Sequence, residues 1–168
     1  MADIPKIIER VNTARAACSR GPLAELPPGE RGNPCFCPLG RALRKDMGDA
    51  FFLAVGTRHI RLASAEGDAS EIARRIQEAW GVNEKKILMP GNDQFLTVPL
   101  PSELTQFVVE FDAGKLPKFE GDIEPTEKER FISLARRLWN VTVDRLRRVR
   151  RLASGAPPKI SAQPAGSE

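Results

Sequence analysis

The apolar positions of this chain recur with two periods, and the places where one gives way to the other mark its elements. From Ile4 the spacing is helical: Ile4, Ile7, Ile8, Val11, Ala14 and Cys18 fall on one stripe, with Lys6, Glu9, Arg10 and Arg15 largely off it. Asp3 can cap this helix and Pro5 is tolerated in its first turn, so a helix to about Cys18 with one face on a core is predicted. Gly21 to Pro34 then holds four prolines and three glycines. That composition predicts a long loop, and loops of about 12 or more residues are uncommon unless they have a role or are loosely ordered. Pro38 opens a second helix with Leu39, Ala42, Leu43 and Met47 inward and Gly48 as its stop. Arg41, Arg44 and Lys45 point the other way.

The period next drops to two. Phe51 to Val55 and Arg58 to Ala63 read as strands joined at Gly56-Thr57, where glycine in the first central position suits a type II′ hairpin turn. Asp68 and Glu71 then form a capping signature for a helix carrying Ile72, Ile76, Ala79 and Trp80, closed by Gly81. The outline repeats. Lys86 to Met89 and Gln94 to Val98 flank a Pro90-Gly91-Asn92-Asp93 turn, and a helix from Pro101 or Ser102 bears Leu104, Phe107, Val108 and Phe111, with Gly114 as its stop. A short edge strand is expected over Phe119 to Ile123. The expected fold is α+β: a small antiparallel sheet from two hairpin–helix units, N-terminal helices and a long basic C-terminal helix. The expected organisation is a compact domain over 1–124, a basic helical arm over 125–153 and a disordered tail over 154–168.

Two segments carry a resemblance. Cys35-Phe36-Cys37-Pro38-Leu39-Gly40-Arg41-Ala42-Leu43, and later Phe107-Val108-Val109-Glu110-Phe111-Asp112-Ala113-Gly114, are similar to a group of small uncharacterised bacterial and phage proteins. That group has a C-P-(L/I)-A-x-A-L segment and a later (F/I)-x-x-F-D-x-G helix end. Gly40 stands where the group usually has alanine. The similarity spans roughly residues 33 to 120, which fits one compact domain and leaves the arm outside it. It implies no activity.

Charge changes the picture most. The arm, Glu127 to Leu152, opens with Thr126 three residues before Glu129, a capping box, and repeats apolar residues at Phe131, Leu134, Ala135, Leu138, Leu146, Val149 and Leu152. Between Arg136 and Arg151 the seven arginines Arg136, Arg137, Arg145, Arg147, Arg148, Arg150 and Arg151 stand against the single acid Asp144, a local +6 in a chain whose net charge is +4. At about 100° per residue Arg136, Arg137, Arg147, Arg148 and Arg151 share one arc opposite the apolar stripe, with Arg150 at its edge. Arg145 falls among the apolar positions and has to snorkel outward. These seven arginines are the candidate nucleic-acid-binding residues, since guanidinium groups on one face neutralise phosphates. A solvated face, an acidic protein partner and an anionic membrane surface are the competing readings.

Catalytic chemistry has little support. The chain lacks a Walker loop, G-x-G-x-x-G, G-x-S-x-G and H-E-x-x-H. Cys18, Cys35, Cys37 and His59 are the Cys and His ligands available for zinc, but Cys35 and Cys37 are closer than a structural knuckle requires and Cys18 lies on an apolar stripe. Packing is therefore the favoured role, and no metal or cofactor is expected. Cys37 is also placed to cap the second helix, where the helix dipole can activate a thiol, although inert burial is the favoured reading. No apolar run approaches the roughly 18 residues of a membrane span, and the N-terminus is an amphipathic helix containing acids, so a cytoplasmic location is expected. The expected function is that of a non-enzymatic accessory protein binding nucleic acid through the arm. The alternative is a phage-related protein that binds and modulates a host protein. A homodimer is expected because the stripe near Leu138, Leu146 and Val149 exceeds what one small domain covers.

Overall fold

A computed structural model describes residues 1–48, 51–64, 69–82 and 96–138. Within them the chain builds α1 (Ile4–Ala17), α2 (Pro38–Arg44), β1 (Phe51–Val55), β2 (His59–Ser64), α3 (Ala69–Trp80), β3 (Leu96–Pro99) and α4 (Ser102–Asp112). A 3-10 turn at Pro117–Phe119 and a fifth helix, α5, over residues 125–138 complete it. The α+β class and small antiparallel sheet are as expected.

The helices form where their stripes predict. Asp3 Oδ1 accepts from the Lys6 backbone N–H at 3.3 Å, and Ile7, Val11 and Ala14 are fully buried. Leu104, Phe107, Val108 and Phe111 put α4 into the same core, and Ala73, Ile76 and Trp80 do so for α3. Left-handed glycines end these two helices, Gly81 at φ 65 and Gly114 at φ 71, a conformation that costs glycine little. α2 is shorter than predicted. The chain leaves it at Lys45 and turns through Asp46 at φ 68 and Gly48 at φ 78, with Met47 still buried.

The sheet has strand order β1-β2-β3 and is antiparallel throughout. Alternation divides its faces: Leu53, Val55, Ile60, Leu62 and Val98 join the main core under α1, α3 and α4. Phe52 and Ala63 point the other way, toward α5. The hairpin turn lies one residue later than predicted. Gly56 N–H donates to His59 O at 2.8 Å, so Thr57 and Arg58 form the tip and Gly56 flanks it, outside the positive-φ glycines. The type II′ expectation is corrected accordingly. The first arm of the second expected hairpin, Lys86 to Met89, and the cap residue Asp68 lie outside the described residues.

Two further expectations change. Residues 119–123 form no strand: Glu120 makes one isolated bridge to Gly29, after Pro117 has closed the 3-10 turn that buries Phe119. The long loop over residues 21–34 is irregular but tied down. The Asn12 side chain exchanges two hydrogen bonds with Leu23, Gly29 N–H reaches Phe119 O at 2.7 Å, and Asp112 Oδ1 takes the Gly32 N–H at 3.0 Å. Arg15, expected largely off the α1 stripe, is 1% exposed. Its guanidinium donates to the carbonyls of Gly21, Ala42 and Lys45 and to Asp46 Oδ2, all within 2.6–2.8 Å. Arg15 therefore satisfies the orphan carbonyls at the end of α2, which explains how a charge survives burial there.

Candidate nucleic-acid interface

α5 begins two residues before Glu127, the expected start of the arm. Glu124 O accepts from the Glu127 and Lys128 N–H groups, and Pro125 takes the favoured first position, so Thr126 lies inside the helix. Phe131, Leu134 and Leu138 are buried, at the i, i+3, i+7 spacing of one stripe. Phe131 meets Phe36 edge-on at 5.3 Å and Phe52 at 4.8 Å, while Leu134 and Leu138 close over Ala63 and Phe52. The opening of the expected arm is thus packed on the sheet. Leu138, one basis of the homodimer expectation, is 2% exposed within the single chain, whereas Leu146 and Val149 lie outside the described residues.

Polar contacts fix the docking. Glu127 accepts from Arg41 at 3.0 and 2.5 Å and from Arg44 at 3.2 Å, and Lys128 pairs with Glu30. Arg41 and Arg44 were expected to face away from the core. They do, but the surface they face is α5. Arg44 also donates to Cys35 O and Leu53 O and sits 4.6 Å from the Phe131 ring centroid. Burial pushes the Arg44 pKa down against the opposing pull of Glu127. Burial by itself would raise the Glu127 carboxyl, but hydrogen bonds and charge from Arg41 and then Arg44 hold it below the usual range.

Two clefts flank α5. One, about 590 Å³, is lined by Arg41, Arg44, Lys45, Thr126, Glu127 and Arg130 among others and is mixed in charge. The other, about 580 Å³, is lined by Phe36, Phe52, Phe131, Ile132 and Ala135, with Asn33, Cys35 and Arg136 beside them. Arg136 and Arg137 are both exposed. Arg136 borders the apolar cleft; Arg137, seven residues on from Arg130, shares that residue's side of the helix. Arg145, Arg147, Arg148, Arg150 and Arg151 lie outside the described residues, as does the rest of the expected basic helix.

Cys18 ends α1, Cys35 and Cys37 precede α2 and His59 begins β2, and no group of three or more His, Cys, Asp or Glu suited to a metal ion occurs among the described residues. Cys37 does cap α2, its Sγ accepting from Gly40 N–H at 3.3 Å. Burial pushes that thiol up to about 12 despite the two backbone donors, which supports packing, the favoured reading, over a dipole-activated thiolate. Burial also raises Cys18 and Cys35.

The sequence reading missed Arg15, the Glu127 clamp and the apolar cleft. Each joins residues far apart in the chain, and no local pattern announces them. The molecule defined so far is a small α+β protein whose last described helix docks on one face of a three-stranded sheet. No family model, curated protein or solved structure matches the chain. No helix among the described residues is long and apolar enough to cross a membrane.

Proposed function

We propose that the protein is a non-enzymatic accessory factor that binds nucleic acid through the arginines of residues 136–151. The observation that carries this reading is the orientation of α5. The helix spends Phe131, Leu134 and Leu138 on the sheet, which leaves Arg136 and Arg137 exposed at the start of a stretch with seven arginines and one acid. In the body of the protein Lys6 and Arg10 pair with Glu103, Arg15 with Asp46, and Arg74 with Glu71 and Glu78. A run of seven arginines with one acid among them favours a polyanion, because each backbone phosphate neutralised releases condensed counterions.

The test is fluorescence anisotropy of the full chain with labelled duplex DNA and single-stranded RNA across a salt series. A second protein carries glutamine at Arg145, Arg147, Arg148, Arg150 and Arg151. This variant is preferred to truncation at residue 125, which would remove Glu127 and Phe131 from the body. Affinity that falls steeply with salt in the parent and collapses in the variant supports the reading. Equal, salt-insensitive or absent binding retires it and points to a protein partner.

A further inference from the structure

An apolar cleft lies beside Arg136. It is bounded by Phe36, Phe52, Phe131, Ile132 and Ala135, drawn from a loop, a strand and a helix. Ile132 is 48% exposed on its wall. Among the described residues Arg136 is the one charged side chain that borders it. A planar group with apolar faces, joined to an anion a few ångströms away, matches that combination of apolar wall and guanidinium. A nucleotide of a single strand has this form: its base offers the faces and its phosphate the charge. A base inside a duplex does not, because it is paired and stacked on both sides.

We infer that this cleft receives an unstacked base of a single-stranded nucleic acid while Arg136 holds the adjoining phosphate, so that the interface prefers single strands to duplex. This rests on the nucleic-acid reading and adds the substrate class. A protein partner with an apolar side chain beside a carboxylate also fits the wall and Arg136, but the arginine run next in the chain, seven with one acid, matches a polyanion better.

Cys35 supplies a reporter. It lines the cleft and is partly exposed, whereas Cys18 and Cys37 are buried at 5% and 3%. The experiment uses the full chain with three probes of equal length: oligo-dT, an abasic single strand and a duplex. Oligo-dT is expected to bind about tenfold more tightly than the abasic strand, the scale of one base stacked on protein. It should also slow alkylation of Cys35 by iodoacetamide several-fold, which the abasic strand and the duplex do not. Ile132→Ser, a change at a half-exposed position, should lower the affinity for oligo-dT and leave that for duplex unchanged. Equal binding of all three probes with Cys35 unprotected overturns the cleft assignment and leaves the electrostatic reading standing. Failure of all three to bind overturns both.

Discussion

Glu127 and Arg41 lie 86 residues apart in the chain and meet as a two-pronged ion pair, Nε to Oε1 at 3.0 Å and Nη2 to Oε2 at 2.5 Å. A planar guanidinium matched to both oxygens of a carboxylate fixes direction as well as distance. Arg44 joins the same carboxylate from the next turn of α2, and Arg41 also donates to Pro28 O. The contact fastens the start of α5 to α2, and thereby sets which way the exposed arginines of α5 face.

Glu127→Gln should therefore loosen the helix that carries the proposed interface. Two arginines, 15% and 12% exposed, lose their shared anion. With Glu127 itself a third exposed, solvent screening moderates the loss to about 1–2 kcal/mol, below the 3–5 of a fully buried pair. Urea unfolding checks it. The pH dependence has a defined sign: the folded Glu127 pKa is lowered, so its contribution is complete above the unfolded value near 4.3 and is lost as pH falls through the folded one. Glu103, held at about 2 chiefly by its hydrogen bond from Lys6, adds a loss of the same sign. The parent should lose more stability than Glu127→Gln between about pH 5 and pH 2. Identical acid profiles would contradict this.

Arg15→Ala should cost more, about 3 kcal/mol. It strands the buried Ala42 carbonyl, takes the donor from the part-buried carbonyls of Gly21 and Lys45, and removes the volume of a fully buried side chain. Arg15→Lys should recover only part, since one ammonium cannot reach a fork of four acceptors. Thermal melts of the two variants separate these outcomes, and a lysine variant as stable as the parent would show that charge alone suffices.

Gly21 opens the long loop, Gly29 lies within it, and the two should respond oppositely to alanine. A Cβ on Gly29 would lie 2.5 Å from Phe36 O and 2.6 Å from the Pro38 ring, so backbone has to move, at about 1–3 kcal/mol. A Cβ on Gly21 meets nothing within 4 Å. Gly21→Ala should be neutral or stabilise by up to about 1 kcal/mol through the unfolded chain. A matched pair of denaturation curves decides, and an innocuous Gly29→Ala would deny that the loop is pinned there.

What was legible in the sequence follows from the range of each interaction. α1, α3, α4 and the β1–β2 hairpin were visible because local period and capping residues specify them: Ile7, Val11 and Ala14 repeat on one face whatever they pack against. The boundaries were less visible. The Gly56 turn shifted by one residue because the pairing of Val55 with Ile60 set its register, overriding the glycine preference. The candidate site was legible only in its charge. Arg136 and Arg137 are exposed as the arc predicted, but Glu127 gripping Arg41 and a cleft built from Phe36, Phe52 and Phe131 depend on contacts that no short window contains.

Cys37 gives a prediction at alkaline pH. Its folded pKa of about 12 exceeds the unfolded value near 8.5, so its contribution is complete below the unfolded value and is lost as pH rises through the folded one. The chain contains no tyrosine, so no phenol titrates in this window. Cys37→Ser keeps an acceptor at the cap of α2 and should flatten the loss of stability between about pH 9 and pH 11. At neutral pH iodoacetamide should modify Cys35 alone until the protein unfolds, and mass spectrometry of the alkylated peptides reads this directly. Rapid modification of Cys37 in the native protein would restore the activated thiol.

The last prediction separates position from charge. Arg136→Gln removes an exposed cation at the edge of the apolar cleft; Arg74→Gln removes one that is also exposed but held between Glu71 and Glu78. Both change net charge by one unit, so a purely global field would weaken nucleic-acid binding equally. If the arginines of residues 136–151 contact phosphates, Arg136→Gln should weaken binding to every sequence alike and reduce the salt slope by about 0.7 on single strands. Arg74→Gln should leave the slope unchanged. Equal slopes for the two variants would place the affinity in net charge and remove the case for a localised interface.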